Sequence, residues 1–163
     1  MENSKNADGI EEWYADSFPS FPSIEYVNRN KYWHINGQLH REDGPAVEDA
    51  DGTKSWYING ELHREDGPAI EYADGTKYWY INGRLHQEDG PAIEYADGAE
   101  EWYINGEHHR EDGPAIEYAD GHKEWHLNGV LHRIECADGR IQSYIHGKLK
   151  TKRSIYDDWV PAW

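Results

Sequence analysis

Short runs of alternating apolar and polar residues recur along this chain, separated by glycine-bearing turns. The stretches Ala69 to Ala73 and Thr76 to Ile81 are typical: aromatic or β-branched residues alternate with polar ones, the period-two signature of strands. No helical periodicity precedes residue 150. Two kinds of turn signal punctuate the runs. Asn-Gly and Asp-Gly both suit two-residue hairpin turns, in which the central residues take positive φ. In Asp-Gly-Pro, the glycine permits a reversal and the proline restricts the residue before it.

These signals repeat. Asn-Gly falls at Asn36, Asn59, Asn82, Asn105 and Asn128, a period of 23 residues. Asp-Gly-Pro begins at Asp43, Asp66, Asp89 and Asp112, and a second Asp-Gly begins at Asp51, Asp74, Asp97, Asp120 and Asp138. The ends are degenerate. Residues 7–14 match 96–103, but Asn28-Arg29 stands where Asp-Gly is due, Ser143 and His146 replace the Trp and Asn of the unit, and Arg133-Ile134 omits the five-residue Glu-Asp-Gly-Pro-Ala segment. Atypical terminal repeats fit caps, which stacked repeats need for solubility. The expected organisation is an N-terminal cap with a partial repeat over 1–22, tandem β-hairpin repeats over 23–147, and a basic, Trp-rich tail or cap over 148–163. The expected fold is all-β, an elongated meander of antiparallel hairpins forming a single twisted sheet. Two strands per repeat at about 4.8 Å spacing would advance about 10 Å per repeat.

Alternation assigns faces. It predicts one face holding the Trp and Ile ladder (Trp33, Trp56, Trp79, Trp102, Trp125), joined by Ile70 and Tyr72. The opposite face would combine Tyr or His (His34, Tyr57, Tyr80, Tyr103, His126) with a Glu column at Glu25, Glu48, Glu71, Glu94, Glu117 and Glu135. The 23-residue period, Asn-Gly-x-x-His, and a later Ala-Asp-Gly before a Trp-bearing strand together resemble the MORN repeat family in its variant form, over about residues 24–147. This chain reads His-Arg-Glu-Asp-Gly-Pro where units of that family usually read His-Gly-x-Gly. The resemblance implies a stack of hairpins. It also implies a non-enzymatic role, since family members are mostly scaffolds or membrane-associated proteins and some variant-repeat proteins look like antitoxin or immunity partners. Lys77 to Gly83 is also similar to aromatic cell-wall-binding repeats, which have a different period.

Composition then narrows the function. The 163 residues carry 16 Lys and Arg against 32 Asp and Glu, a net charge of −16. Such acidity often accompanies disorder, but eight Trp and twelve Tyr argue for a folded chain. Direct binding to phosphate backbones or anionic membranes needs Lys and Arg, so neither is expected. A basic partner is. The single cysteine, Cys136, excludes an intramolecular disulfide framework and a Cys-rich zinc site. The polar start, without an apolar signal core, predicts the cytoplasm of the producing or infected cell.

Candidate chemistry is weighed against repetition. The histidines His40, His63, His86, His109 and His132 occur once per repeat, so neighbours would stand about 10 Å apart. That is too far for two to hold one ion at about 2.0–2.1 Å. A structural histidine bonding a turn carbonyl or an Asp is the better account. The acidic pairs at 42–43, 65–66, 88–89 and 111–112 have no EF-hand spacing, and a catalytic pair is not needed in four copies. They are read as turn formers and solubilising charge. Cys136, where other repeats carry Tyr95 or Tyr118, is read as packing. No phosphate loop or serine elbow is present. Neither a cofactor, a metal nor an enzymatic activity is therefore expected.

The leading expectation is an acidic repeat protein that binds and inhibits a basic macromolecular partner. The candidates are a nucleic-acid mimic, an immunity protein or a phage anti-defence protein, acting on a nucleic-acid-processing enzyme or a toxin. Glu48, Glu71, Glu94 and Glu117 are the expected charge array, with Tyr57, Tyr80 and Tyr103 as contact anchors. Trp159 and Trp163 are assigned to a cap over the last hairpin or to a homodimer contact. The alternatives are a structural scaffold and a carbohydrate or small-ligand binder using the aromatic columns.

Overall fold

A computed structural model describes residues 2–5, 11–14, 24–25, 29–146 and 148–153. Among them every regular element is a β-strand. The chain forms two compact units, Met1–Arg84 and Leu85–Trp163. In the first, the strands Glu2–Lys5, Glu11–Tyr14, Ile24–Glu25, Lys31–Tyr32, Val47–Glu48, Lys54–Ser55, Ile70–Glu71 and Lys77–Tyr78 lie in that order, each antiparallel to the next. In the second the order is Ile93–Glu94, Glu100–Glu101, Ile116–Glu117, Lys123–Leu127, Val130–Glu135, Ile141–Ile145 and Lys148–Arg153, again antiparallel throughout. Each unit is thus a meander of consecutive hairpins. The segment 148–153 continues it as a strand, while Trp159 and Trp163 lie outside the described residues.

Each internal repeat has more than two strand segments, because the hairpin forks at its tryptophan. The Trp56 N–H donates to the Ala69 carbonyl at 2.8 Å, while the Trp56 carbonyl accepts the His63 N–H at 3.1 Å. Residues 64 to 68 leave the ladder between those two bonds. The strand leading to Trp56 therefore pairs with Ile70–Glu71, and the segment after it, Tyr57–Ile58, pairs with Glu61–Leu62. The final repeat shows why. Without the five-residue segment, Val130–Glu135 runs as one strand against Lys123–Leu127, and only a one-residue bulge at His132 marks the fork.

The two turn types differ. At Asn59-Gly60 both residues are left-handed, with φ of 51° and 81°, as a type I′ hairpin turn requires. At Asp74-Gly75 only the glycine is, with φ of 94°. Here the Gly75 N–H bonds the Tyr72 carbonyl, the Tyr72 N–H bonds the Thr76 carbonyl, and the Asp74 carboxylate accepts the Thr76 N–H at 2.8 Å. That is a type I turn closed by a glycine bulge, not the two-residue turn expected. The Asp stands in it as an acceptor for the backbone two residues on.

Successive Asn-Gly hairpins are also bonded to one another. In the first unit the Gly83 N–H meets the Leu62 carbonyl at 2.9 Å, and the Arg64 N–H meets the Tyr80 carbonyl at 3.1 Å. Four of the five repeated histidines clasp the same seam. His63 Nδ1 accepts the Asn82 backbone N–H at 3.2 Å and lies 3.0 Å from Asn82 Oδ1. His40 meets Asn59, and in the second unit His109 meets Asn128, in the same way. Nδ1 accepts the Asn N–H in one tautomer and donates to the Asn Oδ1 in the other. The histidines are structural as expected, but their partner is the next turn's asparagine, not a carbonyl or an Asp.

The core is thin. Ala46, Ala69, Ala92 and Ala115 are fully buried beside the forks and Val47, Ile93 and Ile116 nearly so, yet among the described residues no large side chain is completely buried. Hydrogen-bonded seams must therefore contribute much of the order. Replacing His63 with Ala leaves the Asn82 N–H without its acceptor. The expected loss is about 1 kcal/mol, or about 2–4 °C in Tm by calorimetry. An unchanged Tm contradicts the clasp.

Candidate functional site

At three of the four forks the residues that leave the ladder bring an arginine back onto it. The Arg64 guanidinium carbon lies 4.0 Å from the centre of the Trp56 ring. Its Nε donates to Asp66 Oδ1 at 2.9 Å, and its Nη1 donates to the Pro68 carbonyl at 3.1 Å and to Glu71 Oε1 at 2.9 Å. The arrangement recurs around Arg41 over Trp33 and Arg110 over Trp102, at 4.1 and 4.0 Å. Arg133, in the repeat without the loop, still covers Trp125 at 4.3 Å. A guanidinium over an indole face contributes about 0.5–2 kcal/mol, depending on desolvation.

This geometry explains the glycine of Asp-Gly-Pro. Gly44, Gly67 and Gly113 do not lie in the left-handed region; they are needed for room. A Cβ on Gly67 would stand 2.9 Å from the Arg64 guanidinium carbon, and one on Gly113 would stand 2.7 Å from that of Arg110. At Gly90 the neighbour is Gln87, and the nearest atoms are 3.7 Å away.

The same contacts redraw the faces. Arg64 touches both Trp56 and Glu71, so the Glu column lies on the tryptophan face. The register agrees, with Glu71 opposite Lys54 and Lys77, and Ile70 opposite Ser55 and Tyr78. The other face of the first unit holds Ile70 with Tyr72, Tyr78 and Tyr80, whose rings meet at 5.5 and 6.4 Å. The expectation that the Glu column shares a face with Tyr57, Tyr80 and Tyr103 is thus corrected. Ile70 and Trp56 lie on opposite faces because an arginine covers the indole, so that face need not be apolar.

The proposed charge array is correspondingly engaged. Glu48 faces Arg41 and Lys31 at 3.5 and 3.7 Å, Glu71 faces Arg64, and Glu117 faces Arg110 and Lys123 at 3.1 and 2.9 Å. Glu94 holds the matching strand position, opposite Glu100. The loop carboxylates point outward: the side chains of Glu65 and Glu111 are each 87 % exposed, against 39 % and 30 % for Glu71 and Glu117. The Arg64 hydrogen bond holds the Asp66 carboxyl below the usual range. Within each unit two such loops flank an open cleft. One of about 400 Å³ is lined by residues 41–44, Trp56, Ile58 and 63–66, and one of about 500 Å³ by residues 87–90, Trp102, Ile104 and 109–112.

The second unit also carries a polar cluster on its tyrosine face that sequence reasoning missed. Glu101 accepts bonds from the hydroxyls of Tyr95 and Tyr103 at 2.9 and 2.8 Å and meets His108 Nε2 at 2.7 Å. His126, whose ring lies 5.2 Å from that of His108, meets Glu124 at 2.9 Å. His108 stands in a column that is otherwise Leu39, Leu62, Leu85 and Leu131, and that break was the available signal. The His108 bond is the main cause holding the Glu101 carboxyl below its ordinary value, assisted by the tyrosines. Among the described residues no group of three or more His, Cys, Asp or Glu is arranged to hold a metal ion. Compared with known proteins, the chain matches no family model and no curated sequence.

Two outcomes follow from this geometry. Gly67→Ala and Gly113→Ala should each cost about 1 kcal/mol more than Gly90→Ala in urea unfolding. Gly90→Ala itself should be neutral or stabilise by up to about 1 kcal/mol. Equal effects at all three would contradict the arginine seat. A depressed carboxyl value adds stability above the unfolded pKa of about 4.3, and that stability is lost as pH falls through the folded value. Glu101→Gln should therefore lower stability at pH 7 by about 1–2 kcal/mol and shrink the difference from the parent as pH falls below about 4. A difference that does not change with pH would contradict this.

Proposed function

We propose that this chain is a non-enzymatic binding protein of the MORN-like variant-repeat type that engages a basic macromolecular partner and inhibits it. The kinship rests on the 23-residue period and the Asn-Gly-x-x-His motif of the sequence. The observation that carries the binding role is the contrast between the two sets of carboxylates. Arginine and lysine engage Glu71 and Glu117 on the strands, while Glu65 and Glu111 project from the loops almost fully exposed. On a chain of net charge −16, these loops are the acids available to a Lys- and Arg-rich groove. A groove that ordinarily holds nucleic acid is one such surface, which fits a mimic, immunity or anti-defence role. The strand glutamates become supports that hold the arginines, and the loop glutamates Glu42, Glu65, Glu88 and Glu111 become the contacts.

An arginine-rich, DNA-binding peptide of about twenty residues, preloaded with fluorescent DNA, tests this. The chain should release the DNA in a salt-sensitive manner. Two variants of equal net charge separate loop from strand. With Glu42, Glu65, Glu88 and Glu111 all changed to Gln, about tenfold more protein should be needed, a loss of about 1.4 kcal/mol. The matching change at Glu48, Glu71, Glu94 and Glu117 should shift the requirement by less than about twofold. No release by the parent, or equal losses in both variants, would refute the proposal.

A further inference from the structure

The four Asp-Gly-Pro loops are not equivalent. Three carry an arginine two residues before the Asp: Arg41, Arg64 and Arg110. In each, Nε donates to the Asp carboxylate at 2.8–3.2 Å and Nη1 to the Pro carbonyl at 3.1–3.2 Å. The fourth loop carries Gln87 instead, and among the described residues no side chain donates to the Asp89 carboxylate or the Pro91 carbonyl. The backbone has kept both acceptors while losing the cation that joins them elsewhere.

Room has been kept as well. Gln87 stops 3.7 Å from the Cβ position of Gly90, whereas guanidinium carbons stand 2.7–3.0 Å from the matching points in the other three loops. Asp89 is exposed, and the loop opens on the cleft of about 500 Å³, whose far wall is Glu111 and Asp112. That cleft holds one arginine, Arg110, where the first unit's cleft of about 400 Å³ holds two, Arg41 and Arg64. It therefore carries one more uncompensated negative charge.

We propose that loop 87–91 is a receptor for an arginine side chain of the basic partner. The incoming guanidinium bonds Asp89 and Pro91 as Arg64 bonds Asp66 and Pro68, with Gln87 swinging aside. The second, independent observation behind the site is internal. The equivalent acceptors hold a guanidinium in three other copies within this chain, so the geometry is known to suit that group. Lysine, a point donor, cannot bridge carboxylate and carbonyl with a fixed fork and should bind less well. The inference deepens the function proposed above and rests on it.

The experiment titrates the full chain with N-acetyl-arginine amide, with its neutral isostere N-acetyl-citrulline amide, and with N-acetyl-lysine amide, followed by amide NMR. The arginine probe should give saturable shifts centred on Asp89 and Gly90, with a Kd on the order of millimolar. Citrulline should give none and lysine weaker ones. Gln87→Arg, which fills the seat from within, should abolish the shifts and weaken binding of the arginine-rich peptide about fivefold, the upper end for an exposed ion pair. Arginine shifts spread evenly over the loops at Asp43, Asp66 and Asp112, or shifts that persist in Gln87→Arg, would overturn the seat. So would peptide binding unchanged by Gln87→Arg, which leaves the loop-acid reading standing. If the arginine probe saturates loop 87–91 while the peptide binds neither protein, the seat stands and the loop-acid reading falls.

Discussion

The structure depends on a guanidinium lying over an indole at three of the four points where a hairpin forks. A sheet with few buried side chains has little apolar core to offer, and among the described residues no large side chain is completely enclosed. The stack lets the indole be covered by a side chain that is itself amphipathic, apolar against the ring and polar at its edges. The edges then do further work. Nε and Nη1 close the loop on itself through Asp66 and Pro68, and Nη1 reaches the strand through Glu71. One side chain thus joins the fork, the loop and the next strand, and the absent Cβ of Gly67 makes its place.

The same contact sorts the negative charge. A strand carboxylate bonded to arginine or lysine is part of the framework, and its field is largely compensated. A loop glutamate such as Glu65, with His63 Nε2 3.8 Å away, faces solvent. The chain's acidity is therefore less uniform than its net charge suggests. It is presented at the loop tips, at the Asp-Gly turns and at exposed strand positions such as Glu61 and Glu107, and is relieved at Glu48, Glu71 and Glu117. A partner that reads charge would meet the tips first, and for such exposed pairs complementarity sets encounter rate and specificity more than raw affinity. The tyrosine face, with its Glu101–His108 cluster, is a separate surface with different chemistry.

Much of the fold was legible because turn chemistry is local. Asn-Gly specifies a type I′ turn from two residues, and both take positive φ at Asn59 and Gly60. The 23-residue period follows from those turns. What was not legible depended on register. Whether Ile70 or Glu71 lies under Trp56 turns on a single residue, and the strand alternation near Trp56 is interrupted by the fork. The arginines were visible at a constant eight residues after Trp33, Trp56, Trp102 and Trp125, with Gln87 after Trp79 as the exception, yet nothing in the alternation pattern marks a charged side chain as the cover for an aromatic one. The glycine of Asp-Gly-Pro invited a backbone explanation, whereas its reason is the volume of Arg64. The clasp between His63 and Asn82 lay 19 residues apart, beyond what turn rules reach.

The central claim is that arginine and lysine hold the strand glutamates while the loop glutamates are left to solvent. Carbodiimide-driven labelling of carboxyl groups on the native chain, read residue by residue by mass spectrometry, measures this directly. The account predicts that Glu42, Glu65 and Glu111 are modified well before Glu48, Glu71 and Glu117, and that denaturation removes the difference. Native labelling of Glu71 and Glu117 as fast as Glu65 and Glu111 would contradict it.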